Sequence, residues 1–288
     1  MIDSIYLLTG TNGFIGSHLF NDIVVNKRFR TLVIDRHYNF KTYNFEENIS
    51  GSGLENLGNT VKNFNICFIH CATKFQNYNN DKEWQDLILA NVMYPLTILI
   101  QLSKISTVHF INLNSYWQAV DGMLGSTNSL YAKSKNEFLS KLKIMDSYNS
   151  ILHNDVYLFD TFGPLDKRKK LIPYLFETYY GYKTFELSDV GQVLNFLHIT
   201  DVLAGIHSVI ELRAPNKVYE LSSLSNYTIK EVFDIFCGVV GKRLTCDWND
   251  REPLTYMKEK WMIAEKPHTW KESISFDLGL QKLFLSNP

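Results

Sequence analysis

The sequence predicts an α/β protein, a doubly wound parallel sheet of the Rossmann type followed by a smaller α/β lobe. Three observations carry this. Short apolar runs alternate with segments of helical spacing through the first half of the chain. A glycine-rich turn joins the first apolar run to the first helix. Beyond Gly163-Pro164 the alternation gives way to a charged loop and longer aromatic stretches.

The elements follow in order. SIYLLTG is a short run rich in β-branched and aromatic residues and predicts a buried strand. Phe14, Ile15, Leu19, Ile23 and Val24 then recur at helical spacing, and Thr31 to Asp35 is a second buried strand. ICFIHCA predicts a strand, DLILANVMYPLTILIQLSK a helix, VHFINLN a strand, SLYAKSKNEFLSKLKIM a helix and DVYLFD a strand. Strand and helix in strict alternation imply a parallel sheet covered on both faces. After residue 164, DKRKK is a charged loop, LIPYLFETYYGY a helix, NFLHITDVLAGIHSVIEL a strand entering a helix, YELSS a strand and TIKEVFDIFCGVVG a helix. The last forty residues are aromatic-rich and read as irregular. The expected division is a dinucleotide-binding domain over 1–164 and a substrate lobe over 165–288, with the segment near 193–212 returning to the first domain.

Bulk composition narrows the function classes. The 288 residues carry a net charge of -1, are 45% hydrophobic and 20% charged, and suit a folded chain with a large core. That balance gives no electrostatic reason to expect a nucleic-acid or acidic-membrane partner. Cys67, Cys71, Cys237 and Cys246 form no CxxC pair and no ligand cluster, so they read as core thiols and no metal is expected. The start lacks a secretory pattern and no uninterrupted apolar run reaches about 18 residues. A cytoplasmic location is the default expectation.

The turn Thr9-Gly10-Thr11-Asn12-Gly13-Phe14-Ile15-Gly16 suits a pyrophosphate. Gly10 permits a tight turn, Gly13 lets backbone amides approach the phosphates, and Gly16 lets helix and strand pack closely. The helix N-terminus adds unpaired N–H groups and partial positive charge. Asp35, about 20 residues on at a strand end, is placed for the adenosine ribose hydroxyls. A carboxylate there favours NAD, while Arg36 keeps NADP as the alternative by stacking on adenine or pairing with a 2′-phosphate.

Tyr131 and Lys135 stand at i and i+4 on one helical face. A free phenol with a pKa near 10 is a poor acid–base group at neutral pH. A neighbouring ammonium is expected to favour the phenolate and lower that pKa. Ser115, at the end of the preceding strand, is placed to hold the reacting oxygen. His70 reads as a core histidine, and Trp261, Trp270 and Tyr256 as lobe packing rather than a base-stacking platform.

Taken together, TGTNGFIGSHL, ICFIHCAT, NVMYPLTIL, FINLNS, YAKSK, FGP at 162–164, FLHITDVLAG and DLGLQKL resemble the extended short-chain dehydrogenase/reductases, the nucleotide-sugar epimerases, dehydratases and reductases. The resemblance spans nearly the whole chain in the expected order. It implies a catalytic triad of Ser115, Tyr131 and Lys135. It also implies a dinucleotide site lined by Gly10, Gly13, Gly16, Asp35, Ala72 and Asn91, with Asn12, Phe14, Ile15, Arg36, Cys71 and Thr73 beside them, and a homodimer. For the substrate it points to Asn114, Tyr116 and Arg251. Within the family, ANVMYPL, FINLNSYW, YAKSKNEF and FGPLDKRKKLIPYLF look most like bacterial 3,6-dideoxyhexose synthases of the CDP-abequose synthase type, which reduce a C4 ketone.

The chain also departs from the family. Leu194 stands in a segment that usually supplies an arginine to the nucleotide diphosphate, and Tyr157 and Asp160 replace an arginine and an asparagine. Lys167, Arg168, Lys169 and Lys170 either compensate or form a solvated loop. Ser115 is followed by Tyr116-Trp117, without the Asp-Glu that dehydratases place there. The expected function is therefore NAD(P)H-dependent reduction of a nucleotide-linked, CDP-type deoxy-4-keto sugar for surface polysaccharide. A nucleotide-sugar 4-epimerase with tightly bound NAD and a non-catalytic dinucleotide-binding regulatory protein are the alternatives.

Overall fold

The apolar runs become strands of a single eight-stranded sheet. The computed structural model describes residues 4–75, 81–119, 129–145, 151–188, 191–214, 216–249 and 263–286. Its first half runs β1 (Ser4–Thr9), α1 (Phe14–Phe20), β2 (Thr31–Ile34), β3 (Asn39–Tyr43), β4 (Ser50–Ser52), α2 (Leu54–Val61) and β5 (Asn65–His70). It continues with α3 (Asp81–Ile88), α4 (Tyr94–Ser103), β6 (Val108–Ser115), α5 (Leu130–Met145) and β7 (Ile151–Leu158). Single π-helical stretches over Asn21–Asn26 and Leu89–Met93 extend α1 and join α3 to α4. The second half comprises β8 (Asp160–Phe162), α6 (Leu171–Tyr180), β9 (Phe185–Ser188), β10 (Val193–Leu194), β11 (Phe196–His198) and α7 (Ile199–Leu212). It ends with β12 (Lys217–Leu221), β13 (Tyr227–Thr228), α8 (Ile229–Val240), β14 (Cys246–Asn249) and α9 (Phe276–Ser286).

The strand order is β12-β7-β6-β5-β1-β2-β3-β4. Pairing is parallel from β12 to β2, and β3 and β4 add an antiparallel edge that alternation alone does not predict. The order reverses between β1 and β5, and in open α/β sheets the crevice beyond the strand ends at such a point receives ligands. Alternate residues face opposite layers, as the pleat dictates. Leu7, Phe68 and Phe110 pack under α2, α4 and α5, while Leu8, Ile69 and Ile111 pack under α1 and α7.

Three further features differ from the sequence expectation. The YELSS segment, expected in the smaller lobe, supplies β12 to the edge of the main sheet beside β7. Part of the last forty residues is a regular helix: Phe276, Gly279, Leu280 and Leu283 of α9 are buried at i, i+3, i+4 and i+7. The stretch before α9 is tied to α7 by Asp201, whose carboxylate accepts from the Ser273 and Ile274 amides at 3.1 and 2.9 Å. Finally, Asp81–Ser103 is long and apolar enough to cross a membrane by length and composition. Here its Tyr94, Ile98, Leu99 and Leu102 are buried in the core.

A separate apolar cluster lies beneath β8, β9, β11, α6, α8 and α9, centred on Phe162, Leu175, Phe196, Phe236 and Phe276. It faces the carboxyl ends of β5, β6 and β7 across a cleft of about 1240 Å³.

Candidate active site

At the end of β1 the chain turns at Gly10, whose φ of +72° lies in the region that favours glycine. A Cβ there would meet the Ala72 nitrogen at 2.4 Å, and one on Gly16 would meet the Gly10 carbonyl oxygen at 2.1 Å. The glycines thus press the turn against both the loop after β5 and the first turn of α1. Gly13 caps α1 without a side chain, and no acidic residue occupies its first turn. The first amides, including those of Phe14 and Ile15, therefore keep their donor character and positive end of the dipole, with Asn12 exposed beside them. This is a cradle that fits a dinucleotide pyrophosphate.

Asp35 and Arg36 follow β2 and are exposed. The Asp35 carboxylate closes its own turn: Oδ1 accepts from the His37 and Asn39 amides at 2.8 and 2.9 Å, and Oδ2 from Asn39 Nδ2 at 2.9 Å. Slight burial raises its pKa, but these hydrogen bonds outweigh it and hold the carboxyl below its usual value. Accepting capacity remains for ribose hydroxyls, since a carboxylate offers about four lone-pair sites. Arg36 Nε donates to His37 at 3.1 Å.

Cys71, Ala72 and Thr73 form the loop after β5 and line the cleft with Ile15. Burial pushes the Cys71 thiol up to about 12, which makes it an inert wall residue. Asn91 lies in the π-helical stretch between α3 and α4, where the altered pitch aims it at this loop. Its Oδ1 accepts from the Lys74 amide at 2.7 Å and the Thr73 hydroxyl at 3.3 Å. Its Nδ2 donates to the Lys74 carbonyl and to Ser134 Oγ, both at 2.9 Å. Asn91 therefore locks the cofactor-side loop to α5.

The acid–base group assembles where β6 ends against α5. Ser115 Oγ accepts from the Trp117 amide at 3.3 Å, and the Ser115 amide donates to Gln118 at 2.9 Å, which fixes the strand end. The Tyr131 phenol is buried, and the Thr73 and Ser115 hydroxyls beside it favour its charged form. Lys135 Nζ stands 5.8 Å from the Tyr131 ring centroid and donates to the Leu113 carbonyl at 2.8 Å. Burial drives both pKa values: Tyr131 rises to about 12 and Lys135 falls to about 8. The expected lowering of the Tyr131 pKa by Lys135 is thus overturned in the protein alone. Desolvation dominates, and the opposing influences are the Thr73 and Ser115 hydroxyls and the charge of Arg168.

The expected substrate residues divide. Tyr116 lines the cleft, stacks on Phe159 at 5.3 Å and donates to Asp160 Oδ1 at 3.5 Å. Asn114 reaches the cleft wall, but its Nδ2 donates to Asp155 Oδ1 at 2.8 Å, which commits it to a buried network with Asn112. Arg251, Tyr256 and Trp261 lie outside the described residues. Trp270 is buried in the main core, its Nε1 donating to the Asp201 carbonyl at 2.9 Å, so it packs rather than stacks on a base. Leu194, in the segment where the family usually carries an arginine, is a buried apolar wall.

Four further side chains complete the site: Phe75 and Trp117, which the sequence did not assign to it, and Arg168 and Lys170 of the charged run. The Phe75 ring lies 5.1 Å and the Trp117 ring 6.3 Å from that of Tyr131. Lys170 Nζ sits 5.1 Å from both the Phe75 and the Trp117 centroids. Arg168 lies 4.2 Å over the Phe14 ring, with Nε and Nη2 each 2.7 Å from an Asp166 oxygen. The run 167–170 lines the cleft, with Arg168 and Lys170 half-buried in its wall and Lys167 and Lys169 exposed.

A glycine cradle at the sheet's switch point, joined to a Ser–Tyr–Lys group, defines a dinucleotide-dependent enzyme of the extended short-chain dehydrogenase/reductase type. The NAD dependent epimerase/dehydratase family model matches residues 6–222, and the chain belongs to that family, with NAD as its favoured cofactor. CDP-abequose synthase of Yersinia pseudotuberculosis is 27% identical over 244 residues, covering 81% of this chain and 82% of that protein. CDP-abequose synthase of Salmonella muenchen is 22% identical over 234 residues, covering 80% and 78%. Among solved structures, a UDP-glucuronic acid 4-epimerase variant of Bacillus cereus with a UDP-sugar analogue and NAD superposes with a TM-score of 0.80. It shares 17% identity, with 96% of each chain covered.

Proposed function

We propose that this protein reduces the C4 ketone of a nucleotide-linked, CDP-type deoxy sugar to a carbinol. The observation that carries the reading is the apolar character of the space around the catalytic phenol. Phe75 and Trp117 flank Tyr131, and Tyr116-Trp117 occupy the two positions after Ser115. A hexose rich in hydroxyls would leave donors and acceptors unpaired against those rings, whereas a deoxygenated ring face would not. The likeness to two CDP-abequose synthases supports the same reading.

Reduced nicotinamide held at the glycine cradle supplies the hydride. The protein's own part is proton delivery and positioning. Tyr131, kept protonated at neutral pH by burial, gives its phenolic proton to the ketone oxygen as the carbinol forms. Ser115 donates a hydrogen bond to the same oxygen and holds it beside the phenol. The Lys135 ammonium, anchored on the Leu113 carbonyl, favours the phenolate left behind. A protonated phenol is the starting form for reduction, while an epimerase must begin by removing a proton.

The reaction is assigned to the cytoplasm and to surface-polysaccharide synthesis. The protein is assigned as a homodimer that pairs α5 with the helix containing Asn91. Leu89, Met93 and Ile100 on that helix and Ile144 on α5 are 43–63% exposed, an apolar stripe that a second copy would cover.

The test is stoichiometry. With a CDP-linked 3,6-dideoxy-4-keto sugar, one reduced cofactor is consumed per carbinol formed. Interconversion of two C4 epimers with no net cofactor oxidation would replace this reading with a 4-epimerase.

A further inference from the structure

The cleft concentrates positive charge in a chain whose net charge is -1. Its walls present Lys135, Lys167, Arg168, Lys169 and Lys170 against the carboxylates Asp160 and Glu177. These cations are not equivalent. Lys135 is spent on the Leu113 carbonyl and the phenol. Arg168 is held by Asp166 and by the Thr161 carbonyl, which its Nη2 reaches at 2.6 Å, and it stands over Phe14 at the glycine cradle. Lys170 differs from both. It is half-buried at the N-terminus of α6, and among the described residues no carboxylate forms an ion pair with it.

What surrounds the Lys170 ammonium is aromatic. Phe75 and Trp117 each lie 5.1 Å away, and they contact each other at 5.5 Å. Both rings also flank Tyr131, so the charge and the phenol share one aromatic wall. The carboxylate that shares this wall acts on Lys170 by charge and is hydrogen-bonded through one oxygen. Asp160 Oδ1 receives the Tyr116 hydroxyl and its Oδ2 is buried without a partner. Burial lowers the Lys170 pKa and raises that of Asp160, and the attraction between the two charges opposes both shifts without a direct ion pair forming. A half-buried cation that lines a cleft and has no direct ion pair among the described residues gains from a ligand that supplies an anion.

A dinucleotide engaged at the glycine cradle does not meet this need, because its pyrophosphate belongs at the start of α1, beside Arg168. We propose that Lys170 binds the diphosphate of the nucleotide-linked substrate and sets the distance from that diphosphate to Tyr131. The ammonium presents three rotatable donors to phosphate oxygens as a compact charge. Phe75 and Trp117 limit where that charge can go, so it fixes which sugar carbon reaches the phenol. This assignment rests on the nucleotide-sugar reading above.

The experiment is calorimetric titration of the full chain with CDP, and separately with UDP, in saturating NAD. It compares the natural protein with Lys170→Met and Lys170→Arg, using NADH binding as the control of the fold. The expected result is CDP or UDP binding weakened about tenfold or more in Lys170→Met. Recovery is expected in Lys170→Arg, and NADH affinity should change less than about twofold. The same substitution raises KM for the nucleotide sugar more than it lowers kcat. Nucleoside diphosphate binding at natural strength in Lys170→Met overturns the assignment, and so does loss of NADH binding together with it. A natural protein that binds NADH but neither CDP nor UDP would instead remove the nucleotide-sugar reading itself.

Discussion

Replacing His70 with glutamine removes a buried base whose protonation opposes folding, and its surroundings set the size of the effect. His70 ends β5 and is 4% exposed. Its Nδ1 shares a 2.8 Å hydrogen bond with the Thr9 hydroxyl, and the rings of Phe68, Tyr94, Phe110 and Phe138 surround it. Burial first, and the charge of Lys135 second, bring its pKa down to about 3. An unfolded chain would protonate the same histidine near about 6.5. Between those values the unfolded state takes up a proton that the folded state refuses, so stability falls as pH drops below about 6.5 and goes on falling to about 3. At about pH 5 the folded form still binds almost no proton, so the loss depends only on the unfolded value. It comes to about 2 kcal/mol relative to about pH 7.5. Chemical denaturation of both proteins at the two pH values should show the natural protein losing about 2 kcal/mol more than His70→Gln. His198, brought down to about 4 mainly by burial, titrates in both proteins and cancels from the comparison. Equal losses in the two proteins would mean that His70 is not the group whose protonation opposes folding.

Other consequences follow from the same geometry. Gly10→Ala forces a residue with a Cβ to φ +72° and drives that Cβ to 2.4 Å from the Ala72 nitrogen. The conformation alone costs about 1–2 kcal/mol, and NAD affinity measured by calorimetry should fall about tenfold or more; unchanged affinity would contradict the cradle. Lys135 titrates near about 8 in the folded protein, so kcat/KM should decline as pH rises past that value and removes the charge. Lys135→Arg, which stays charged, should abolish this alkaline limb in a pH–rate profile. Asn91→Leu leaves the Lys74 amide and carbonyl unpaired and frees α5 from the cofactor-side loop. A loss of about 2–4 kcal/mol in stability, with a fall in kcat, is expected by denaturation and kinetics.

The dinucleotide half was legible because its signals are local. A glycine turn between an apolar run and a helix carries its own meaning in a few residues, and Tyr131 and Lys135 meet by helical spacing alone. The antiparallel edge was not legible, because β3 carries polar residues on its solvent side and β4 is three residues long. The wall of the site was harder still. Phe75 and Trp117 are single aromatics outside any periodic segment, and only the tertiary fold brings them to Tyr131. Lys170 belongs to a run of charge that looks solvated until those two distant rings are seen to cover it. The Tyr131 pKa failed for the same reason, since burial depends on everything packed around the phenol and not on its helical neighbour. The α9 helix keeps its apolar spacing, but it follows an irregular aromatic stretch that hides where the pattern begins.

In the proposed reaction Tyr131 delivers a proton while a hydride reaches C4 of a deoxy sugar. The most direct test is transfer of label from reduced nicotinamide carrying deuterium at the transferable position to a CDP-linked 3,6-dideoxy-4-keto sugar, read by mass spectrometry and NMR of the product. One deuterium is expected at C4 of each carbinol formed, with almost no labelled product from Tyr131→Phe. A product without label, or C4 inversion that proceeds with no transfer from added cofactor, would contradict it.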